Sequence, residues 1–176
     1  MSARTLLSFE QFEQLHDDGL KHQLLEGELL VVAPPKTPHT LIAENLADAL
    51  RPYVKAHFLG RVHVEAGFKL STATWLQPEV SFVRNQQVQQ SDPTQYYSGS
   101  PAIAIEVASE SNTAAELDRK MELYFSHGAE EVWVVYPETR RIRIHLPDGT
   151  SRTAGDPVQS DSLPGWSAAP SAIFET

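Results

Sequence analysis

The spacing of apolar positions changes several times along this chain, and each change marks an element. Ser8 followed by Gln11 resembles a capping box opening a short helix from Ser8 to Asp17, before Gly19. Gln23 to Ala33 turns at Gly27, becomes rich in β-formers and reads as a hairpin, which Pro34-Pro35 interrupts. Thr37 to Phe58 then carries Leu41, Ala43, Leu46, Ala49, Leu50 and Val54 at helical spacing, closed by Gly60. From Arg61 the period drops to two. Val62 to Leu70 alternates, and after a short Thr/Ala turn Gln77 to Val83 forms a second strand.

The segment 85–100 is polar and reads as a surface loop. A strand over Ala102–Ala108, a helix over 113–127 ended by Gly128, and a strand over Glu131–Tyr136 follow. Thr139-Arg140-Arg141 turns into a strand at Ile142–Leu146, and Pro147-Asp148-Gly149 turns again. The tail is expected to pack back through Trp166, Ile173 and Phe174. This order predicts an α/β fold, a mixed and partly antiparallel sheet with helices against it. Its centre is a βαβ unit.

Two charges break this pattern. In the 113–127 helix Leu117, Met121 and Tyr124 stand at i, i+4 and i+7, and Lys120 falls at i+3, on or beside the apolar stripe. In the preceding strand Ile103, Ile105 and Val107 share one face, while Glu106 shares the other with Ala102, Ala104 and Ala108. An ammonium facing the interior is costly unless a negative group meets it there, so opposite charges on consecutive elements suggest one shared site. A further acid, Glu79, follows Pro78 at the mouth of a strand. Taken alone it is more often a solvated turn residue than a ligand.

Composition narrows the chemistry. At 176 residues the chain is long enough for one domain with a proper core, and residues 1–176 are read as a single domain. The absence of cysteine removes disulfides, thiolate nucleophiles and Cys-ligated zinc. No window is apolar enough for a membrane span and the N-terminus has no secretory h-region, so a cytoplasmic protein is expected. A net charge of -9 argues against a strongly basic, non-specific nucleic-acid binder. It leaves a nuclease open, because a bound cation offsets the charge of its carboxylate ligands. Lys36, Arg51, Lys55, Arg61, Lys69 and Arg84 are scattered and read as solvated surface charge.

Two carboxylates and a lysine on adjacent elements form a reactive set. Hard divalent cations take oxygen ligands, usually one or two carboxylates with waters and a phosphate. Such a cation polarises a phosphate oxygen and lowers the pKa of bound water, and a lysine steadies developing charge. Other candidates are weaker. His39, after Pro38, reads as an exposed helix-start histidine rather than a contact at the site edge. His127 serves the C-terminal dipole of its helix, and Tyr124 reads as core packing. No Ser-His-Asp set, P-loop or Rossmann fingerprint is present.

Pro78-Glu79-Val80, Ile105-Glu106-Val107-Ala108-Ser109 and the run from Glu116 through Lys120 and Gly128 to Trp133 together resemble the Uma-two family of restriction endonucleases. That family belongs to the PD-(D/E)xK, restriction-endonuclease-like superfamily. Leu24–Leu29, Pro38-His39 and Leu163-Pro164-Gly165 extend the resemblance over nearly the whole chain.

The resemblance implies a restriction-endonuclease-like mixed β-sheet flanked by helices, and a Mg²⁺ (or Mn²⁺) cofactor. It implies Glu79 and Glu106 as metal carboxylates, the Val107 carbonyl as a third ligand, and Lys120 as the catalytic lysine relocated to a helix. The lysine usual two residues after the second acid is replaced by Ala108; Glu79 stands for the commoner aspartate, Gln23 for a frequent glutamate and Tyr136 for an aspartate. The expected partners are nucleic acid, DNA above all, and a second copy in a homodimer, with no membrane. Two alternatives stand beside the nuclease: a nuclease-fold domain that binds or assembles without cutting, and a purely structural Lys120–Glu106 ion pair.

Overall fold

A computed structural model describes residues 6–109 and 112–175. In chain order the elements are α1 (Phe9–Glu13), the hairpin β1 (Lys21–Leu25) and β2 (Glu28–Val32), and the long α2 (Thr37–Ala56). Then come β3 (Gly60–Val64), β4 (Phe68–Ser71), β5 (Thr74–Leu76), β6 (Val80–Arg84), α3 (Asn85–Gln90) and β7 (Tyr97–Ser98). The second half holds β8 (Ile103–Val107), α4 (Ala114–Ser126), β9 (Glu131–Tyr136), β10 (Arg141–His145) and β11 (Ser151–Thr153). It ends with β12 (Val158–Gln159), β13 (Ser167–Ala168) and α5 (Pro170–Ile173).

The local signals act as expected at several points. The capping box is closed in both directions, Gln11 N–H to Ser8 Oγ and Ser8 N–H to Gln11 Oε1. The hairpin turns on Glu26 and Gly27, both at positive φ (50° and 84°), the geometry that matches the twist of two-residue hairpins. Pro38 sits in the first turn of α2, where its missing N–H leaves no helical bond unmade.

Two sheets form the body. The larger runs β11-β10-β9-β8-β6-β3, and only β8 and β9 pair in parallel. Parallel neighbours need a crossover, and α4 supplies it. The smaller sheet runs β2-β1-β5-β4-β7. On one face of the large sheet α2 buries Ile42, Leu46, Leu50 and Val54 against Phe82, Ile103, Ile105, Val107 and Trp133. Trp166, Ile173 and Phe174 join that core, so the tail packs back as its composition suggests. The opposite face carries Val83, Ala104 and Val132 into a second core with Tyr124 of α4 and with Leu25, Phe68 and Leu76 of the small sheet. Within β8 the parity is as read, with Ile103, Ile105 and Val107 facing α2 and Ala104 facing α4; Ala102, expected on the face of Ala104, precedes the strand, where alternation no longer holds, and joins the α2 core instead.

Three expectations change. The alternation of Val62–Leu70 is two strands in different sheets, β3 and β4, broken where Glu65 takes φ +52°. The Thr/Ala turn is followed directly by a buried strand, β5, which pairs with β1 and β4. The loop 85–100 contains α3 and the two-residue β7. Elements this short hold too few positions to show a period. Of the scattered cations, Arg51 pairs with Asp48, Lys69 with Glu10 and Arg84 with Glu130, which suits surface charge. Among the described residues no helix is long and apolar enough to cross a membrane.

Gly60 opens β3 at φ +153°, and a Cβ there would collide with the Val83 main-chain carbonyl across the β3–β6 pair. Gly60→Ala is expected to cost about 2 kcal/mol or more, as strain at a disfavoured backbone position does. Urea unfolding checks it; an unchanged midpoint contradicts the close approach.

Candidate active site

The site begins with strand register. β6 and β8 pair antiparallel, with Val80 opposite Ile105, so one step further brings Glu79 level with Glu106. The pairing continues through a side chain, because the Val107 N–H donates to Glu79 Oε2 at 3.0 Å. Glu79 is 8 % exposed and Glu106 3 %. Burial of Glu79 corrects the reading of it, taken alone, as a solvated turn residue. The strand mouth is covered, and the N–H of Val107 is spent on its carboxylate instead of on water.

The α4 side is supplied by helical spacing. Thr113 caps the helix by accepting from the Glu116 N–H, and Leu117, Lys120 and Tyr124 form its buried stripe. Lys120, 3 % exposed, donates to Glu106 Oε2 at 3.2 Å, and the Tyr124 hydroxyl donates to Oε1 at 2.7 Å. Residues four apart lie one turn above each other, so a single strand carboxylate receives both donors. Tyr124 is core, as expected, and it also orients Glu106. Its position one turn from a misplaced lysine was the available signal.

The α2 side is supplied by His39, expected to be exposed. Instead it lies half-buried in the first turn of α2, with Nε2 2.9 Å from the Val107 carbonyl oxygen and 3.8 Å from Glu79 Oε1. No local pattern reports that the start of α2 lies over the end of β8. Gln23 of β1 is also buried; its amide donates to the Gln77 carbonyl, and its Oε1 has no hydrogen-bond partner among the described residues. His127 caps α4 as expected, with Nδ1 2.8 Å from the Leu123 carbonyl.

The electrostatics are unbalanced. Burial works against the charge on Lys120, but Glu106 and then Glu79 outweigh it and hold its pKa above the ordinary lysine value. Burial, and next the charge of Glu106, push Glu79 up to about 8, while Lys120 and the Val107 N–H pull the other way. Burial and Glu106 raise Tyr124 well above a free phenol, so it stays a donor. Burial lowers His39 below the usual histidine value, against the pull of the Val107 carbonyl. Two buried acids thus share one ammonium, and a proton or a cation has to make up the difference.

Among the described residues no three His, Asp or Glu side chains converge as a metal cage. The donors are two carboxylates and a main-chain carbonyl, the sparse oxygen set on which Mg²⁺ sits with waters and a phosphate. The residues therefore fit a hard divalent cation and do not fit a closed zinc site.

Comparison with known proteins agrees with this architecture. The family model Uma2, described as "Putative restriction endonuclease", matches residues 9–171. Five solved chains match significantly. One is a crystal structure of a "putative nuclease belonging to DUF820" from Anabaena variabilis. It is 14% identical, with a TM-score of 0.82 over 96% of this chain and 97% of that one. At that identity the likeness shows the fold. No curated protein matches significantly.

Removing one member of the buried pair leaves the other charge unpaired. Lys120→Met is expected to cost about 3 kcal/mol, and adding Glu106→Gln to recover part of it. A urea-melt double-mutant cycle showing simple additivity would contradict the coupling. Glu79 holds its proton more tightly folded than unfolded. Its stabilising contribution is full below the unfolded value of 4.5 and is lost as pH rises through about 8. Thermal melts should therefore show Glu79→Gln gaining stability relative to the parent at pH above 8, and an equal difference at acid and alkaline pH would refute the shift.

Proposed function

The chain belongs to the Uma2 family, and on that premise we propose that it is a metal-dependent endonuclease hydrolysing phosphodiester bonds of nucleic acid, with DNA as the substrate class. The observation that carries this reading is the convergence of Glu79, Glu106 and Lys120 in one buried cluster at the end of β8. Glu79 and Glu106 would hold Mg²⁺ or Mn²⁺, and the second lone pair of the Val107 carbonyl would add a third oxygen. The cation, when bound, supplies Lewis acidity toward a phosphate oxygen and acidifies water.

The chain's own residues do the rest. Lys120 and Tyr124 fix both oxygens of Glu106, which sets the carboxylate plane before substrate arrives. The ammonium of Lys120 opposes the negative charge that builds at phosphorus, from a site where low water content strengthens it. Glu79, held by the Val107 N–H, is kept beside Glu106 despite their mutual repulsion. The reading also takes a homodimer as the working unit. The exposed Leu29 and Val31 on the edge strand β2 support it as an apolar surface for a second copy.

A second reading is a nuclease-fold domain that binds nucleic acid or assembles without cutting it. It is favoured by the closure of both Glu106 oxygens by α4. Supercoiled plasmid with Mn²⁺ separates the two. The nuclease nicks or linearises it, and Glu106→Ala and Lys120→Ala each reduce the rate about a hundredfold or more. Cleavage untouched by both substitutions removes the mechanism. An intact plasmid with no Mn²⁺ heat in calorimetry selects the second reading.

A further inference from the structure

One face of β1 runs from the interior out to solvent. Alternation puts Lys21, Gln23 and Leu25 on that face, and Leu24 on the other, where it meets Phe9 and Trp75. Leu25 is packed in the core that holds Tyr124 and Ala104, Gln23 is 1% exposed, and the Lys21 side chain is 23% exposed. The face therefore starts beside the residues that surround Glu106 and ends with an ammonium at the rim.

Hydrogen bonds tie this rim to Glu79. The Gln23 amide donates to the carbonyl of Gln77, two residues before Glu79, and the Glu65 N–H donates to the Glu79 carbonyl at 3.0 Å. Glu65 in turn holds Lys21, with Oε1 2.9 Å from Nζ. The Lys21 charge reaches both Glu79 and His39, favouring the ionised form of the first and the neutral form of the second. Lys21 thus stands on the solvent side of the cluster, across from the start of α2.

Its present partner is replaceable. The Glu65 side chain is 47% exposed, and an exposed ion pair gives way readily. Glu65 also takes φ +52°, a conformation that costs a residue with a Cβ, and the Gln77 amide holds it there by donating to its carbonyl. Two other cations around the cluster are committed, Lys120 to Glu106 and Arg119 to Glu26 and Glu28. A nucleic-acid strand approaching two acids needs positive charge where it enters. Gln23 Oε1, buried with no hydrogen-bond partner among the described residues, marks the same face as one that meets a group from outside the chain.

We infer that Lys21 is a phosphate-anchoring residue, its ammonium exchanging the Glu65 carboxylate for a backbone phosphate of the nucleic acid as the strand reaches the cluster. The inference rests on the nuclease reading above and names how the substrate of that reading is held. A lysine suits the exchange, being a compact point charge with three rotatable donors. Glu65 occupies the anchor until the phosphate arrives.

Anisotropy of a fluorescein-labelled DNA duplex at several salt concentrations with Ca²⁺, plasmid cleavage with Mn²⁺ and thermal melts are run on the parent, Lys21→Gln, Lys21→Arg and Glu65→Gln. Lys21→Gln is expected to weaken duplex binding and raise KM about tenfold, with kcat held within about threefold. It also flattens the slope of log affinity against log salt by about one, the share of a single phosphate contact. Lys21→Arg restores affinity to within about threefold of the parent. Glu65→Gln, which frees the ammonium, tightens binding about threefold.

A purely structural ion pair gives another pattern. Lys21→Gln and Glu65→Gln then shift the melt alike and leave duplex affinity and salt slope unchanged, which overturns the anchor. Should Lys21→Gln not fold, Glu65→Gln decides: tighter binding supports the exchange, and unchanged or weaker binding overturns it. A parent that cuts plasmid with a KM indifferent to Lys21→Gln overturns the anchor and leaves the nuclease reading standing. A parent that binds duplex through Lys21 but leaves plasmid intact supports the anchor and overturns the nuclease reading. A parent that neither binds nor cuts overturns both.

Discussion

A carboxylate in the interior must be answered, and Glu106 is the acid around which this fold arranges its charges. It lies on β8 on the same face as Ala104, with no apolar reason to be there. Leaving it ionised without partners would cost more than most folds can spare. The parallel pairing of β8 with β9 forces the chain to cross over, and α4 returns across the face that Glu106 occupies. Lys120 and Tyr124, one turn apart, then meet its two oxygens. The small residues beside Glu106 leave room for those long side chains.

The neutralisation stops short of completeness. The same strand register that pairs Val80 with Ile105 carries a second acid, Glu79, to the level of the first. One ammonium cannot satisfy both, and Glu79 is held near neutrality by burial and by its neighbour. A fold selected for stability alone would place an apolar or neutral residue there, since buried ion clusters rarely improve on well-packed hydrocarbon. An uncompensated acid that a cation can relieve is the kind of strain that functional sites keep. His39 completes the enclosure from α2, so the cluster draws on the helices on both sides of the large sheet as well as on the sheet itself.

The legible parts of this site share one property: their signal is a departure from a local period. Glu106 breaks an apolar strand and Lys120 breaks an apolar helical stripe, and each is visible within about a dozen residues. Tyr124 was visible as a core position, and its bond to Glu106 follows once the helix is set one turn above the strand. His39 and Gln23 departed from nothing, because a histidine near a helix start and a glutamine in a hairpin are ordinary where they stand. The short β5 and β7 were invisible for a related reason: three or two residues cannot display alternation, and they are strands only because a neighbouring strand offers hydrogen bonds.

By itself the sequence determined the order of the main elements, the face of β8 that carries its acid, and the face of α4 that answers it. Those are consequences of side-chain spacing on a regular backbone, and spacing is written in the chain. Only the tertiary structure decided that Val62–Leu70 divides between two sheets, that Glu79 is buried level with Glu106, and that His39 closes on the Val107 carbonyl. Each of these depends on which distant segment covers which, with hydrogen bonds spanning 28 residues for Glu79 and 68 for His39. Contacts at that separation are selected by packing of the whole, and no local pattern encodes them.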